Sequence, residues 1–245
     1  MSDETPTVVL VHGAFADGSS WNGVIQRLHA KGVKVTAPAN PLRGISIDSA
    51  YTASVFEQTP GPVLAVGHSY GGAVITNAAS KANNVVGLVY VAAFAPEEGE
   101  LLGDASAGSK DSILGSALVP SQYPTANGEA AVEFTVDPEK IHEVFAADLP
   151  DALTPLLAAT QRPVAELAFS EPNGAPAWAE LASWAVVALS DKAAGTDVVR
   201  SMAERAGATI TEVEGSHVIM ISQPDAVTDV IMNALAAVEA PAPVG

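Results

Sequence analysis

Residues 63–72 constrain the fold of this chain more than any other stretch of its sequence. They read Val-Leu-Ala-Val-Gly-His-Ser-Tyr-Gly-Gly, so an apolar run typical of a buried strand leads directly into the pattern G-x-S-x-G. An Ala- and Val-rich helical stretch, residues 73–80, follows at once. The pattern predicts a strand, a sharp turn and a helix, with Ser69 at the apex of a strained turn. Gly67 and Gly71 fit this interpretation, because a Cβ atom at either position would collide with the neighbouring strand or helix.

Strand-like and helix-like stretches alternate on both sides of this turn. Strands are predicted at Thr7–Val11, 33–37, 63–66, 85–92, 184–189 and Thr209–Val213, and helices at 20–30, Ile45–Gln58, 73–80, 196–206 and 224–238. Ser20 is the expected N-cap of the first helix. Such alternation indicates parallel strands joined by right-handed helical crossovers. The predicted fold class is therefore α/β, with a six- to seven-stranded, mostly parallel sheet flanked by helices.

An insertion interrupts this alternation and is expected to form a mainly helical lid over the carboxyl edge of the sheet. It contains no strong strand pattern and is rich in Pro, Asp, Glu and Ala. Helices are expected at 138–147, with Asp137 as the cap, and at 152–160. Long insertions in compact domains are usually functional lids or disordered segments. The predicted division is a core of residues 1–94 and 184–239, a lid of residues 95–183 and a flexible tail at 240–245.

Composition and charge exclude several classes of function. The formal net charge of −17 argues against binding to nucleic acid or to an anionic membrane, since both require a basic surface. With no cysteine, the chain has no disulfide, no thiolate metal site and no cysteine nucleophile. The first residues lack the basic and apolar regions of a signal peptide, and no apolar run approaches the length of a membrane span. A soluble, cytoplasmic protein acting on a small molecule is expected.

A serine at such a turn needs a base and an acid from later in the chain. A hydroxyl becomes a good nucleophile only when a base takes its proton, and a third group must hold that base. Asp191 comes directly after the predicted strand 184–189, and His217 lies in the loop after Thr209–Val213. Because the carboxyl ends of parallel strands gather at one edge, both side chains are expected near Ser69. The sequence therefore predicts a triad of Ser69, Asp191 and His217.

Other acids and histidines fit structural roles better. Asp197 and Asp225 compete with Asp191, but each begins a helix and fits first-turn or cap chemistry. Of the other four histidines, His29 and His142 lie in predicted helices, His68 is expected to pack beneath the turn, and His12 is expected to organise its loop by hydrogen bonds.

The negative charge that develops on the carbonyl oxygen during attack needs two fixed N–H donors. One is expected from the backbone of Tyr70, the residue after the nucleophile. The other is expected from the loop after the first strand, from Ala14 or alternatively from Phe15. Gly13 would let this loop approach closely.

These residues together resemble the α/β-hydrolase superfamily. The strand ending in His12-Gly13-Ala14, the segment Gly67–Gly72, Asp191 and His217 carry the resemblance, which spans the chain from Thr7 to about Val238 apart from the lid. The branch most similar is that of small cofactor-free hydrolases akin to plant methylesterases and hydroxynitrile lyases. The resemblance implies that no metal or cofactor is needed.

Within this branch, the residues favour hydrolysis of a small, largely uncharged carboxylic ester. Hydroxynitrile lyases of the branch carry a threonine where Gly13 stands and a lysine where Val218 stands, so lyase activity is disfavoured. A dehalogenase would need aspartate in place of Ser69. The expected pocket lining is Phe15, Trp21, Trp178 and Val218.

Two alternatives use the same triad. A ligand-sensing receptor of this fold would turn substrate over slowly and signal through its lid. A cofactor-free C–C hydrolase or perhydrolase would act on diketones or peroxide rather than on simple esters.

Overall fold

The computed structural model describes residues 5–239 and contains two sheets. Its strands are β1 (Thr7–Val11), β2 (Val35–Thr36), β3 (Val63–His68), β4 (Val85–Val91), β5 (Leu118–Pro124), β6 (Ala130–Val136), β7 (Val164–Ala165), β8 (Ser183–Ala188) and β9 (Thr209–Val213). The larger sheet has six strands in the order β2-β1-β3-β4-β8-β9, and every neighbouring pair is parallel. The predicted α/β fold with a parallel sheet is confirmed.

Helices cover both faces of this sheet and supply the crossovers. They are α1 (Asn22–Ala30), α2 (Ile45–Gln58), α3 (Tyr70–Ala79), α4 (Leu102–Ala107), α5 (Ile141–Phe145), α6 (Thr154–Thr160), α7 (Leu167–Ser170), α8 (Thr196–Arg205), α9 (Ile219–Ser222) and α10 (Pro224–Glu239). The central strands β3 and β8 are buried along their whole length, which explains their unbroken runs of small and apolar residues.

The N-cap predicted for the first helix is wrong. The chain first makes a short 3₁₀ helix, Gly18–Trp21, and α1 begins only afterwards. Asp17 caps the 3₁₀ helix, because its carboxylate accepts a hydrogen bond from the Ser19 N–H at 2.8 Å. Ser20 instead donates its hydroxyl to the Asp17 backbone carbonyl at 2.7 Å.

The insertion at 95–183 contains the helices α4 to α7, and it also contains strands that were not predicted. β5, β6 and β7 form an antiparallel three-stranded sheet in that order. The helix expected at 138–147 is shorter and runs over Ile141–Phe145, and Asp137 accepts from the Glu139 N–H in the turn before it. The lid is therefore a small sheet with helices around it.

The lid packs onto the core at several points. Ile141, Phe145 and Leu102 belong to the same buried cluster as the strands of the large sheet. The N–H of Ala165 donates to the carbonyl of Leu42 at 2.9 Å and joins the small sheet to a core loop. The division into core and lid stays a prediction, and the predicted tail at 240–245 lies outside the described residues. Within residues 5–239, no helix is long and apolar enough to cross a membrane.

Candidate active site

Ser69 occupies the turn between β3 and α3 in a strained backbone conformation. Its φ is 53° and its ψ is −123°, a region that residues other than glycine rarely adopt. The surrounding backbone holds it there, since the Ser69 N–H donates to the Val91 carbonyl at 3.2 Å and the Ser69 carbonyl accepts from Gly72 at 3.0 Å. The strained turn predicted from the sequence is confirmed.

Three glycines allow the chain to pack around this turn. A Cβ atom on Gly67 would lie 2.5 Å from the carbonyl oxygen of Gly71, and one on Gly71 would overlap the carbonyl oxygen of Val11. A Cβ atom on Gly13 would lie 2.7 Å from the Cβ of Ser69. Side chains at these positions would therefore push the turn away from the first strand.

His217 and Asp191 form a buried pair at the same edge of the sheet. The Nδ1 atom of His217 lies 2.9 Å from Oδ2 of Asp191, and their side chains are 1% and 0% exposed. The other carboxylate oxygen of Asp191 accepts hydrogen bonds from the N–H groups of Ala193 and Ala194 at 2.9 and 3.0 Å. Each carboxylate oxygen therefore has a partner, and the hydrogen bond to Nδ1 fixes the orientation of the imidazole ring.

His68 holds the loop of His217 from below. Its Nε2 lies 3.0 Å from the carbonyl oxygen of His217, and because a carbonyl only accepts, this nitrogen carries the proton. The two rings are 4.6 Å apart between centroids. Burial, helped by the nearby His217, lowers the pKa of His68 well below its ordinary value, so the ring is neutral. The ring packs beneath the turn, where the sequence analysis expected it.

His12 organises the loop after β1. The Asn40 N–H donates to Nε2 of His12 at 3.0 Å, so the proton lies on Nδ1, which donates to the Gly13 carbonyl at 2.9 Å. Burial lowers the pKa of His12 to about 4. A neutral histidine thus fixes the backbone that leads into Ala14.

Two backbone N–H groups next to Ser69 are free of protein acceptors. Within residues 5–239, the N–H groups of Ala14 and Tyr70 donate to no protein atom. Tyr70 is the first residue of α3, where the helix leaves its N–H groups unpaired and the helix dipole is positive. Phe15, the alternative donor, has a positive φ of 61°, which turns the loop sharply after Ala14.

The side chain of Tyr70 is anchored by a buried carboxylate that was not predicted from the sequence. Its hydroxyl donates to Oδ2 of Asp48 at 2.8 Å, and Asp48 is fully buried. The same carboxylate accepts from the Arg43 N–H at 3.0 Å. Burial raises the pKa of Asp48 above its ordinary value. The hydrogen bond between Tyr70 and Asp48 connects α2 to the residue that follows the nucleophile.

Ser69 and His217 keep their reactive atoms available. In the part of the chain that the structure describes, neither the Ser69 hydroxyl nor Nε2 of His217 has a hydrogen-bond partner in the protein. Hydrogen bonds between a nucleophile and its base often tighten only when substrate binds. The geometry therefore leaves both atoms free to react.

A cavity of about 120 Å³ adjoins the loops of these residues. Phe15 and Val218, two of the predicted lining residues, border it, together with Phe145 from the lid. The Phe145 ring lies 4.9 Å from the His217 ring and 6.2 Å from the Phe15 ring, measured between centroids. Asp17 adds one carboxylate to the wall. The cavity is mainly apolar. Its wall includes Phe145, whose ring packs against His217, and Val218, the next residue, but neither Ser69 nor His217 borders it.

The other two predicted lining residues lie elsewhere. Trp21 is fully buried in the core, with its ring edge-on to His68 at 6.3 Å, because the 3₁₀ helix turns it inward beneath the turn. Trp178 donates its indole N–H to the carbonyl of Pro96 at 3.0 Å and joins the two ends of the lid. The structure brings neither side chain to this cavity.

The competing acids have other partners. Asp225 pairs with Arg27 at 2.6 Å, and Asp197 accepts from the Ser109 hydroxyl at 2.6 Å. In the lid, Asp148, which was not a candidate, accepts a hydrogen bond from the hydroxyl of Ser216. Among residues 5–239, no group of three or more His, Cys, Asp or Glu is arranged to hold a metal ion.

Comparison with known proteins connects this geometry to a family. The sequence profile described as the alpha/beta hydrolase family matches residues 8–230 of the chain. A pyrethroid hydrolase from Sphingobium wenxiniae is 25% identical over 248 residues, covering 92% of this chain and 86% of that protein.

Two solved structures share the fold over almost their whole length. A pyrethroid hydrolase from Sphingobium faniae superposes with a TM-score of 0.78 at 22% identity, covering 95% of this chain and 98% of the other. A methylesterase from Arabidopsis superposes with a TM-score of 0.76 at 18% identity, covering 95% of this chain and 99% of the other. The expected similarity to plant methylesterases is confirmed at the level of the fold.

Proposed function

Because the chain belongs to the alpha/beta hydrolase family, in which it is a carboxylesterase-like hydrolase, we propose that it cleaves a small, largely uncharged carboxylic ester through an acyl-enzyme on Ser69. The buried pair of His217 and Asp191 carries this proposal. Burying two ionisable side chains costs free energy that an apolar pair would not cost. A base held for a nearby nucleophile explains why the fold contains such a pair.

The proposed reaction has two halves. The Ser69 oxygen attacks the ester carbonyl while Nε2 of His217 takes the hydroxyl proton, and Asp191 stabilises the imidazolium through Nδ1. The N–H groups of Ala14 and Tyr70 bind the negatively charged oxygen of the tetrahedral intermediate. His217 then gives its proton to the leaving alcohol. A water molecule, deprotonated by His217, then attacks the acyl carbon. The bond from that carbon to the Ser69 oxygen breaks, Ser69 takes the proton from His217, and the carboxylic acid leaves.

The electrostatics support an uncharged substrate. The cavity next to Phe145 and Val218 is bordered by apolar side chains and by the carboxylate of Asp17, which would repel an anionic group. The net charge of −17 acts in the same direction over longer distances. The cytoplasmic location expected from the sequence belongs to the same proposal and is tested by cell fractionation.

Intact mass after incubation with a fluorophosphonate tests the nucleophile. We expect a single adduct on the native protein and none on Ser69→Ala, since only an activated serine reacts with this reagent. Ser80→Ala, at the exposed end of α3, is the matched control and is expected to remain labelled. Absence of the adduct in a folded native protein would overturn the proposal in favour of ligand sensing.

Matched esters test the substrate class. We expect kcat/KM for phenyl acetate to exceed that for an acetate ester of a phenol carrying a carboxylate by at least about tenfold, because the charged group must enter beside Asp17. Equal rates would contradict the preference for uncharged esters. Turnover of diketones or peroxide-dependent oxidation, with an inert ester panel, would favour the C–C hydrolase or perhydrolase alternative instead.

A further inference from the structure

The lid contacts the loop that carries His217 at two adjacent points. Phe145, the last residue of α5, lays its ring 4.9 Å from the imidazole of His217. Asp148, in the turn that follows, accepts a hydrogen bond from the hydroxyl of Ser216, the residue directly before His217. The same hydroxyl oxygen lies 3.3 Å from the carbonyl oxygen of Phe145. Both contacts run from the lid to a loop of the core.

The loop is shaped to receive the Asp148 carboxylate. Ser216 is buried, although Asp148 itself is exposed on its outer side. Gly215 adopts a φ of +155°, and a Cβ atom there would lie 2.7 Å from Oδ2 of Asp148. Partial burial opposes ionisation of this carboxyl, yet hydrogen bonds led by the Ser216 hydroxyl lower the pKa of Asp148 below its ordinary value. The carboxylate is therefore ionised and lies tightly against the loop.

Residues of the core already hold this loop on one side. Asp191 holds the imidazole through Nδ1, and His68 holds the backbone of His217 through its carbonyl oxygen. Both contacts come from the sheet side. The lid supplies the opposing contacts through Phe145 and Asp148, so the loop is fixed between core and lid. Small misplacements of a catalytic group cost large factors in rate, so this support affects catalysis.

We propose that Asp148 is a positioning residue for His217, which it holds through Ser216 so that the lid keeps the base in place. The inference rests on the proposed esterase function. Asp148 does not border the cavity of about 120 Å³ next to Phe15. It lines a neighbouring surface cleft of about 620 Å³. Its removal is therefore expected to affect the rate of reaction and not the binding of substrate.

Steady-state kinetics on a turned-over ester tests the proposal. We expect Asp148→Ala and Ser216→Ala each to lower kcat by about tenfold while KM changes by less than about twofold, because the base is misplaced and the cavity is intact. The double variant is expected to be no slower than either single variant, since both changes break one contact. Asp148→Asn keeps an acceptor oxygen and is expected to recover most of the lost kcat.

The matched control is Asp151→Ala. Asp151 is an exposed lid carboxylate three residues further along, and it pairs with His142 at 3.3 Å rather than with the loop of His217. We expect it to keep native kcat and KM. Thermal unfolding of each variant is measured alongside the kinetics, so that kcat is calculated per folded molecule.

Each outcome decides a different claim. If the native protein is neither labelled by the fluorophosphonate nor active on esters, the proposed function fails. If the native protein is active but Asp148→Ala behaves like Asp151→Ala, the positioning role is wrong. Additive losses in the double variant, or a change in KM with unchanged kcat, would also overturn it.

Discussion

Gly13 lies directly against the proposed nucleophile. A Cβ atom at this position would come within 2.7 Å of the Ser69 Cβ and 2.8 Å of the His68 carbonyl oxygen. These atoms belong to the strained turn, which the surrounding backbone hydrogen bonds hold in place. Because neither neighbour is the end of a flexible side chain, an added methyl group would displace the turn or the loop that carries Ala14.

Gly13→Ala is therefore expected to lower kcat/KM for ester hydrolysis by about a hundredfold, because it shifts Ser69 relative to the N–H donors. Overpacking is also expected to cost about 1–3 kcal/mol in the free energy of unfolding. The measurements are steady-state kinetics and urea unfolding. Gly115→Ala is the control, since a Cβ atom there meets nothing within 4 Å. Native kinetics in a folded Gly13→Ala variant would contradict this account of the turn.

The side chains of the proposed triad could be predicted from the sequence because each follows a strand. Ser69, Asp191 and His217 come after β3, β8 and β9, and parallel strands bring their carboxyl ends to one edge. The partners that hold them were not predictable in this way. Asp48 reaches Tyr70 from a different helix, and its contact depends on packing between elements rather than on any local pattern.

At the scale of elements, the core was predicted well and the lid poorly. The core strands are continuous apolar runs, whereas most residues of β5 are exposed and the strand contains two prolines. Proline argues against a strand interior, so the pattern was weak. One signal was present, since Asn127-Gly128 lies between β5 and β6, and this dipeptide is typical of a hairpin turn. A second signal was present in β6, where Val132, Phe134 and Val136 alternate with polar residues in the period-2 pattern of a half-buried strand.

Arg43 joins this small sheet to the core. Its guanidinium donates to Glu133 of β6 at 2.7 Å and lies 4.4 Å from the centre of the Tyr123 ring of β5. The Glu133 side chain is only 12% exposed, so the pair is better shielded from solvent than a typical surface ion pair. The two contacts together are expected to contribute about 1–2 kcal/mol to holding the sheet on the core.

Arg43→Ala is expected to speed hydrogen exchange of the β5 and β6 amides by about tenfold, because local opening becomes easier. Mass spectrometry of exchanged peptides measures this effect. Arg200→Ala removes a pair with Glu212 at 2.8 Å on the opposite edge of the large sheet and is the control. Unchanged exchange in β5 and β6 of the Arg43 variant would show that other contacts hold the lid.

At the scale of the whole molecule, burial of neutral histidines makes stability depend on pH. Burial lowers the pKa of His12 to about 4, whereas the unfolded chain keeps the ordinary value of 6.5. Between these values the unfolded chain binds a proton that the folded protein does not bind. The contribution of His12 to stability is therefore greatest above pH 6.5 and is lost as the pH falls towards 4. His68, whose pKa burial also lowers, acts in the same direction.

We expect the native protein to lose about 2 kcal/mol of unfolding free energy through His12 alone between pH 7.5 and pH 5. Urea unfolding at the two pH values measures the total loss, and His12→Asn isolates the share of His12, since asparagine does not titrate. The loss of unfolding free energy in His12→Asn should be smaller than the native loss by about 2 kcal/mol. His29→Gln, at an exposed position of α1, should keep the native loss. An equal loss in the native protein and in His12→Asn would show that His12 does not remain neutral in the folded state. The hydrogen bond from the Asn40 N–H to an unprotonated Nε2 of His12 could then not be what holds the loop of Ala14.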